Sequence, residues 1–225
     1  MQPLRRLPAR LQLAAFLVLS LFLAACATPP PAPFIPPAAR VALEEARRDF
    51  TFAGQPIHPA VVHLFDTDIS GDNPDIIAVD VREAQESNLA ASPVTVLNGA
   101  VAATSPDPDV PLRCEYERLG VLADGTQVVK TEWNGGGSGV FEHLLLLRFE
   151  IDGWHHYDGT LDWRLVLRVV TFLPLGDHDE GVITVEPNRV IVGPSRNRPK
   201  TTILERLKFN PPNADYSLPS DAANL

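Results

Sequence analysis

The chain has 225 residues, with 19 Lys+Arg against 28 Asp+Glu and a formal net charge of −9. That balance argues against DNA or RNA as a partner, because phosphate binding is dominated by Lys and Arg. It also argues against lying flat on an anionic membrane through a basic face. From the amino terminus, Met1 to Arg10 carries Arg5, Arg6 and Arg10 and no acid. Leu11 to Leu23 is then almost wholly apolar. A positive start and a short greasy run suit the h-region of a signal peptide, and fall short of the roughly 20 residues that span a bilayer as a helix.

Leu23-Ala24-Ala25-Cys26 ends this run. It resembles the bacterial lipobox, Leu then two small residues then Cys, at all four positions. The resemblance covers the first 26 residues. It implies cleavage before Cys26, a diacylglyceryl group on the Cys26 sulfur and acylation of the new amino terminus, palmitate being the expected chain type. Anchoring by more than one chain is durable, since each buried methylene adds about 0.8 kcal/mol. Ala27 follows where Asp would direct retention, so similarity to Gram-negative lipoproteins implies sorting to the outer membrane, on the periplasmic side. Removing the three signal arginines leaves 16 basic against 28 acidic residues, a net of −12. The implied layout is a signal peptide over 1–25, a lipidated cysteine and proline-rich stalk over 26–37, a single β-rich domain over 38–210 and a polar tail over 211–225.

The stalk holds Pro29, Pro30, Pro31, Pro33, Pro36 and Pro37. Polyproline II geometry, at about 3.1 Å per residue, would lift the domain about 30 Å from the lipid. Ala38 to Phe50 places Leu43, Ala46 and Phe50 on one face of a helix, with Glu44 and Glu45 ahead of Arg47 and Arg48. Pro56 and Pro59 then lead into an expected strand, Ala60 to Phe65. After a polar loop comes a second, Ile76 to Val81. Asn88 to Pro111 reads as loose, with Val94 to Leu97 and an Asn98-Gly99 turn inside it.

From Arg113 onward strands dominate. Arg113–Leu122 and Gln127–Trp133 flank Asp124-Gly125, a hairpin signal. A glycine run, residues 135–139, precedes a strand from Val140 to Ile151. Its apolar residues occupy both faces, so its middle should be covered on both sides. Asp152-Gly153 reads as a turn, and Leu165 to Leu173 as another two-sided strand. Val182–Glu186 and Arg189–Val192 flank Pro187-Asn188. Thr201 to Phe209 reads as a last strand or a short helix. Together these predict a mainly β fold, a β-sandwich or a twisted antiparallel sheet with one N-terminal helix, with α+β as the alternative.

Several stretches invite chemistry. Asp66, Asp68, Ser70, Asp72 and Asp75 put oxygens at alternating positions around Gly71. They resemble the start of an EF-hand loop, and with the following Ile-Ile-Ala-Val the loop and strand of the FG-GAP repeats, which implies Ca2+. The twelfth EF-hand position is Ile77 in place of Glu, and the competing reading is a polar turn. His155-His156-Tyr157-Asp158 and Asp177-His178-Asp179-Glu180 gather imidazoles and carboxylates. If His156, Asp158, Asp177 and His178 converge, they would support a hydrolase-like envelope enzyme. Trp133, Gly136 and Ser138 suggest a ligand groove, although Val140 breaks the G-x-S-x-G pattern of a nucleophile elbow. Glu115 and Glu117 share one strand face. With Cys26 lipidated, Cys114 has no partner in the chain and reads as a buried structural thiol. No complete catalytic set emerges, so the leading expectation is a lipid-anchored envelope protein that binds a protein partner or has a structural role.

Overall fold

The computed structural model describes residues 35–66, 76–104, 113–155, 158 and 160–205. All of these belong to one structural unit that starts at Ile35. Cys26, the proline run up to Phe34, residues 67–75 with Asp68, Ser70, Asp72 and Asp75, residues 105–112, His156 and the tail from 211 lie outside the described residues.

Helix α1 spans Pro37–Asp49. Proline in its first turn loses no hydrogen bond, because the first amides of a helix have no intrahelical acceptor. Arg47 and Arg48 sit in the last turn, where the helix dipole favours cations. The helix stops at Phe50, which is left-handed (φ 57°) and returns its N–H to the Ala46 carbonyl. That conformation costs a non-glycine residue about 1–2 kcal/mol. Burial of the ring offsets it: Phe50 packs edge-on to Tyr116 and Phe149, at centroid distances of 5.4 and 5.3 Å.

A two-residue hairpin of β1 (Thr51–Phe52) and β2 (Gln55–Pro56) follows. Ala60 to Phe65, expected as a strand, is helical instead. It forms α2 (Pro59–His63) and a 3-10 turn (Leu64–Asp66). The His58 ring accepts the Ala60 N–H at 3.1 Å and caps the start, and Pro59 supplies a preset φ. Val61, Val62 and Phe65 are fully buried, so packing overrides the strand preference of the valines. The next expected strand is shorter than its apolar run. β3 (Ala78–Asp80) ends where the Asp80 side chain accepts the Glu83 N–H and starts α3 (Val81–Glu86). A 3-10 turn covers Asn88–Ala90. Among the described residues there are therefore three α-helices where one was expected.

The remaining strands are β4 (Val94–Leu97), β5 (Ala100–Thr104), β6 (Arg113–Val121), β7 (Gln127–Asn134), β8 (Phe141–His155), β9 (Leu161–Asp177), β10 (Ile183–Glu186), β11 (Arg189–Val192) and β12 (Thr202–Glu205). Seven form an antiparallel sheet in the order β3-β9-β8-β7-β6-β5-β4, and the last three form their own sheet. The Asp152-Gly153 turn is not there: β8 and β9 stay paired through His155 opposite Leu161. Gly153 lies under Leu161 and Trp163, and a Cβ would stand 3.3 Å from Leu161 Cδ1. The glycine marks a close approach within the ribbon.

Two cores divide the strand side chains. Val129, Leu145, Leu147, Phe149 and Leu167 pack with Phe65 and the helices. Val128, Leu144 and Leu146 pack with Val190 and Val192 of the small sheet. Four consecutive leucines, Leu144 to Leu147, thus point alternately into opposite cores, and the predicted two-sided cover of β8 is present.

Candidate functional site

The interior at one end of the large sheet carries an unusual polar cluster. His63 sits in the last turn of α2 and Asp66 three residues on, so a helical path brings both to the same side. His143 enters from β8. The Asp66 carboxylate is fully buried, with His63 Nδ1 3.3 Å from Oδ2 and His143 Nδ1 3.6 Å from Oδ1. Aromatic rings wall it off. Trp133 stacks on His63 with centroids 6.0 Å apart, and Phe172 stacks on His143 at 4.9 Å. Burial holds the His143 pKa below its ordinary value, opposed by attraction to Asp66. Among the described residues, Asp66 Oδ1, His143 Nδ1 and Thr131 Oγ1 have no hydrogen-bond partner. A buried carboxylate without a full set of donors is costly. The cluster's accessible chemistry is to hold or pass a proton between carboxylate and imidazole.

A cleft of about 120 Å³ opens at the ends of β6 and β7, lined by Arg113, Glu115, Glu132, Trp133, Asn134 and Val140. Glu115 and Glu132 are directly opposite across the strands. Like charges so placed repel. Arg113 pairs with Glu115, and Lys130 Nζ lies 3.2 Å from Glu132 and 2.9 Å from Glu142. Burial pulls the Lys130 pKa down, but hydrogen bonding and attraction to Glu142 and Glu132 outweigh it, and the net shift is upward. Burial raises the Glu142 pKa despite that neighbour. The volume is far below the roughly 300–1,000 Å³ of a drug-sized pocket. It suits one small polar group.

The chain matches no family model, no curated protein and no solved structure.

Of the expected groove residues, Trp133 lines the cleft, while Gly136 and Ser138 sit on an exposed loop beside it. Gly136 has φ 88° and donates its N–H to Asn134 Oδ1, the geometry of a local turn. Of the expected metal set, only Asp66 is described, and its carboxylate faces the two imidazoles. Among the described residues, no group of three or more His, Cys, Asp or Glu is placed to hold a metal ion.

The histidine and aspartate loops do not converge. Asp177 pairs opposite Phe141, whereas Leu161 pairs opposite His155, so the two loops cap opposite ends of the seventeen-residue β9. At about 3.3 Å per residue they stand roughly 50 Å apart. Asp158 accepts two bonds from Thr160 on an exposed turn. Asp177 accepts the Val140 N–H, and that bond and the adjacent His178 hold its pKa below the ordinary carboxylate value. Asp179 serves the fold. It accepts from Ser195 Oγ, Arg198 Nη1 and the Gly181 N–H, and donates its own N–H to Glu142.

Cys114 is buried, and burial followed by the nearby Asp66 charge pushes its thiol up to about 11. A thiol so rarely ionised is a poor nucleophile. Sequence reasoning missed the His63–Asp66–His143 cluster because its parts are eighty residues apart. The i,i+3 spacing of His63 and Asp66 signals nothing unless the segment is helical.

Proposed function

We propose that this chain is a lipid-anchored protein of the bacterial cell envelope, held at the outer membrane on its periplasmic side, with a binding or structural role. The Leu23-Ala24-Ala25-Cys26 sequence carries this reading. Supporting it are the proline run between Cys26 and the first helix and the acidic character of everything behind it. The body is read as a β-sandwich, its small sheet covering one face of the large one and its helices covering the other. The cleft at Glu115, Glu132 and Arg113 accepts a polar side chain of an envelope protein. The hydrolase-like alternative loses its support, because its two loops sit at opposite ends of β9. Cells fed radiolabelled palmitate test the reading. Label in the wild-type band and in the membrane pellet, with both lost in Cys26→Ala, is the expected result. Unlabelled protein in the soluble fraction would overturn it.

A further inference from the structure

Three side-chain atoms at one end of the large sheet have no hydrogen-bond partner among the described residues: Asp66 Oδ1, His143 Nδ1 and Thr131 Oγ1. Their residues are 1%, 7% and 2% exposed, so bulk solvent does not serve them. They come from three elements and converge. Thr131 on β7 lies directly opposite His143 on β8, and such cross-strand partners keep their Cβ atoms within about 4.5–5.5 Å. Asp66, in the 3-10 turn after α2, brings Oδ1 to 3.6 Å from His143 Nδ1. That separation is too long for a direct hydrogen bond, and a polar contact of this length calls for a bridging molecule. Each orphaned buried group carries its full desolvation cost, so three in one place point to one shared partner.

We propose that Asp66, His143 and Thr131 form a binding site for one buried water molecule, held by all three side chains. The chemistry of the three atoms selects this occupant. A carboxylate oxygen accepts. The Thr131 hydroxyl donates or accepts as it turns, and a neutral imidazole does either at Nδ1 according to its tautomer. Burial holds the His143 pKa below its ordinary value, which favours the neutral ring. Water has two donors and two acceptors and serves this set in both tautomers. It donates to Asp66 Oδ1 and to a bare Nδ1 while accepting from Thr131, or it accepts from Nδ1–H and donates to Asp66 and Thr131. Two to four such partners are what a buried water needs. An ammonium ion cannot accept, so it leaves a donating Nδ1 unserved. A metal ion needs more ligands, and among the described residues no group of three or more His, Cys, Asp or Glu is placed to supply them. The water gives Asp66 and His143 the hydrogen-bonded connection that their direct contact lacks, and it ties the turn after α2 to β7 and β8.

Thr131→Val tests the site in solution, because it exchanges a hydroxyl for a methyl group of the same shape. A dry, orphaned hydroxyl is a liability, and replacing it would raise the melting temperature. A hydroxyl that holds a water is a partner, and losing it should lower the melting temperature by about 2–4 °C in a chain of this size. The reference is Thr184→Val, at an exposed position of β10, which makes the same change of residue type without touching the cluster. A crystal structure of the membrane-extracted protein at atomic resolution gives the second readout. One peak of density within about 2.6–3.2 Å of Asp66 Oδ1, His143 Nδ1 and Thr131 Oγ1 is the expected result. A melting temperature that rises or stays level with Thr131→Val, relative to Thr184→Val, overturns the proposal. So does a structure in which the three atoms bond directly to other protein groups. A peak at about 2.0–2.2 Å from Asp66 Oδ1 and His143 Nδ1 would overturn it too, since those are the distances of a bound metal ion.

Discussion

Tyr116 ties the helical layer to the sheet through one buried bond, and removing it tests how the layers are held. Its phenol donates to the Ile57 carbonyl at 2.8 Å, across 59 residues of sequence. Both residues are buried, and burial drives the phenol pKa well above its ordinary value, so it remains a donor at every accessible pH. Tyr116→Phe keeps the ring and its edge contact with Phe50 and deletes only the hydroxyl. The net value of a neutral hydrogen bond is about 0.5–1.5 kcal/mol, and an orphaned buried acceptor costs about 1–3. An expected loss of about 1–2 kcal/mol follows, a roughly five- to thirtyfold shift in the unfolding equilibrium. With a urea m-value of about 2 kcal/mol/M, the midpoint should fall by about 0.5–1 M with the slope unchanged. Tryptophan fluorescence follows the transition, because Trp133 packs against His63 of the helical layer. An unchanged midpoint would refute the reasoning, because the Ile57 carbonyl would then be satisfied without the phenol.

Three other outcomes follow from the interior. His58 and His143 both have folded pKa values below the ordinary 6.5, in each case chiefly through burial. The unfolded chain thus binds protons that the folded chain refuses. Stability is fully present above about pH 6.5 and falls as the pH drops through that value toward the folded pKa values. A melting temperature that rose on acidification from about pH 7.5 to 5.5 would contradict this sign, and His143→Gln should flatten the decline. With its thiol at about 11 and its side chain buried, Cys114 should resist alkylation at pH 8 until denaturant is added; labelling of the native protein at the rate of a free thiol would show that β6 opens. Because Asp66 faces two imidazoles, adding Ca2+ or chelator is expected to leave the melting temperature unchanged, and a rise with Ca2+ would mark the loop from Asp66 to Asp75 as a site.

The sequence made the hairpins legible where turn chemistry is local. Asp124-Gly125 and Pro187-Asn188 each join the strands their composition implied, and Asn98-Gly99 is the expected turn, although the stretch around it, read as loose, carries the paired strands β4 and β5. It also showed the two-sided burial of β8, because four successive leucines fit no one-sided strand. It misled where packing decides. Val61 and Val62 favour a strand in isolation, yet lie in a capped helical turn with no exposed surface. Asp152-Gly153 looks like a turn by composition, and only Trp163 and Leu161 on the opposite strand explain the glycine. The Trp133 cleft was half visible, its aromatic legible and its facing glutamates hidden in a register that no single strand reveals. The His–Asp–His cluster was invisible for the same reason, since β8 and α2 meet only in the folded chain.

Where the mature chain begins, and what it carries there, decides whether Cys26 is a lipid anchor. Mass spectrometry of the amino-terminal peptide from membrane-extracted protein measures both at once. The expected first residue is Cys26 bearing a diacylglyceryl thioether and an amide-linked acyl chain. A chain that starts at Met1, or an unmodified Cys26 inside a longer peptide, would contradict it.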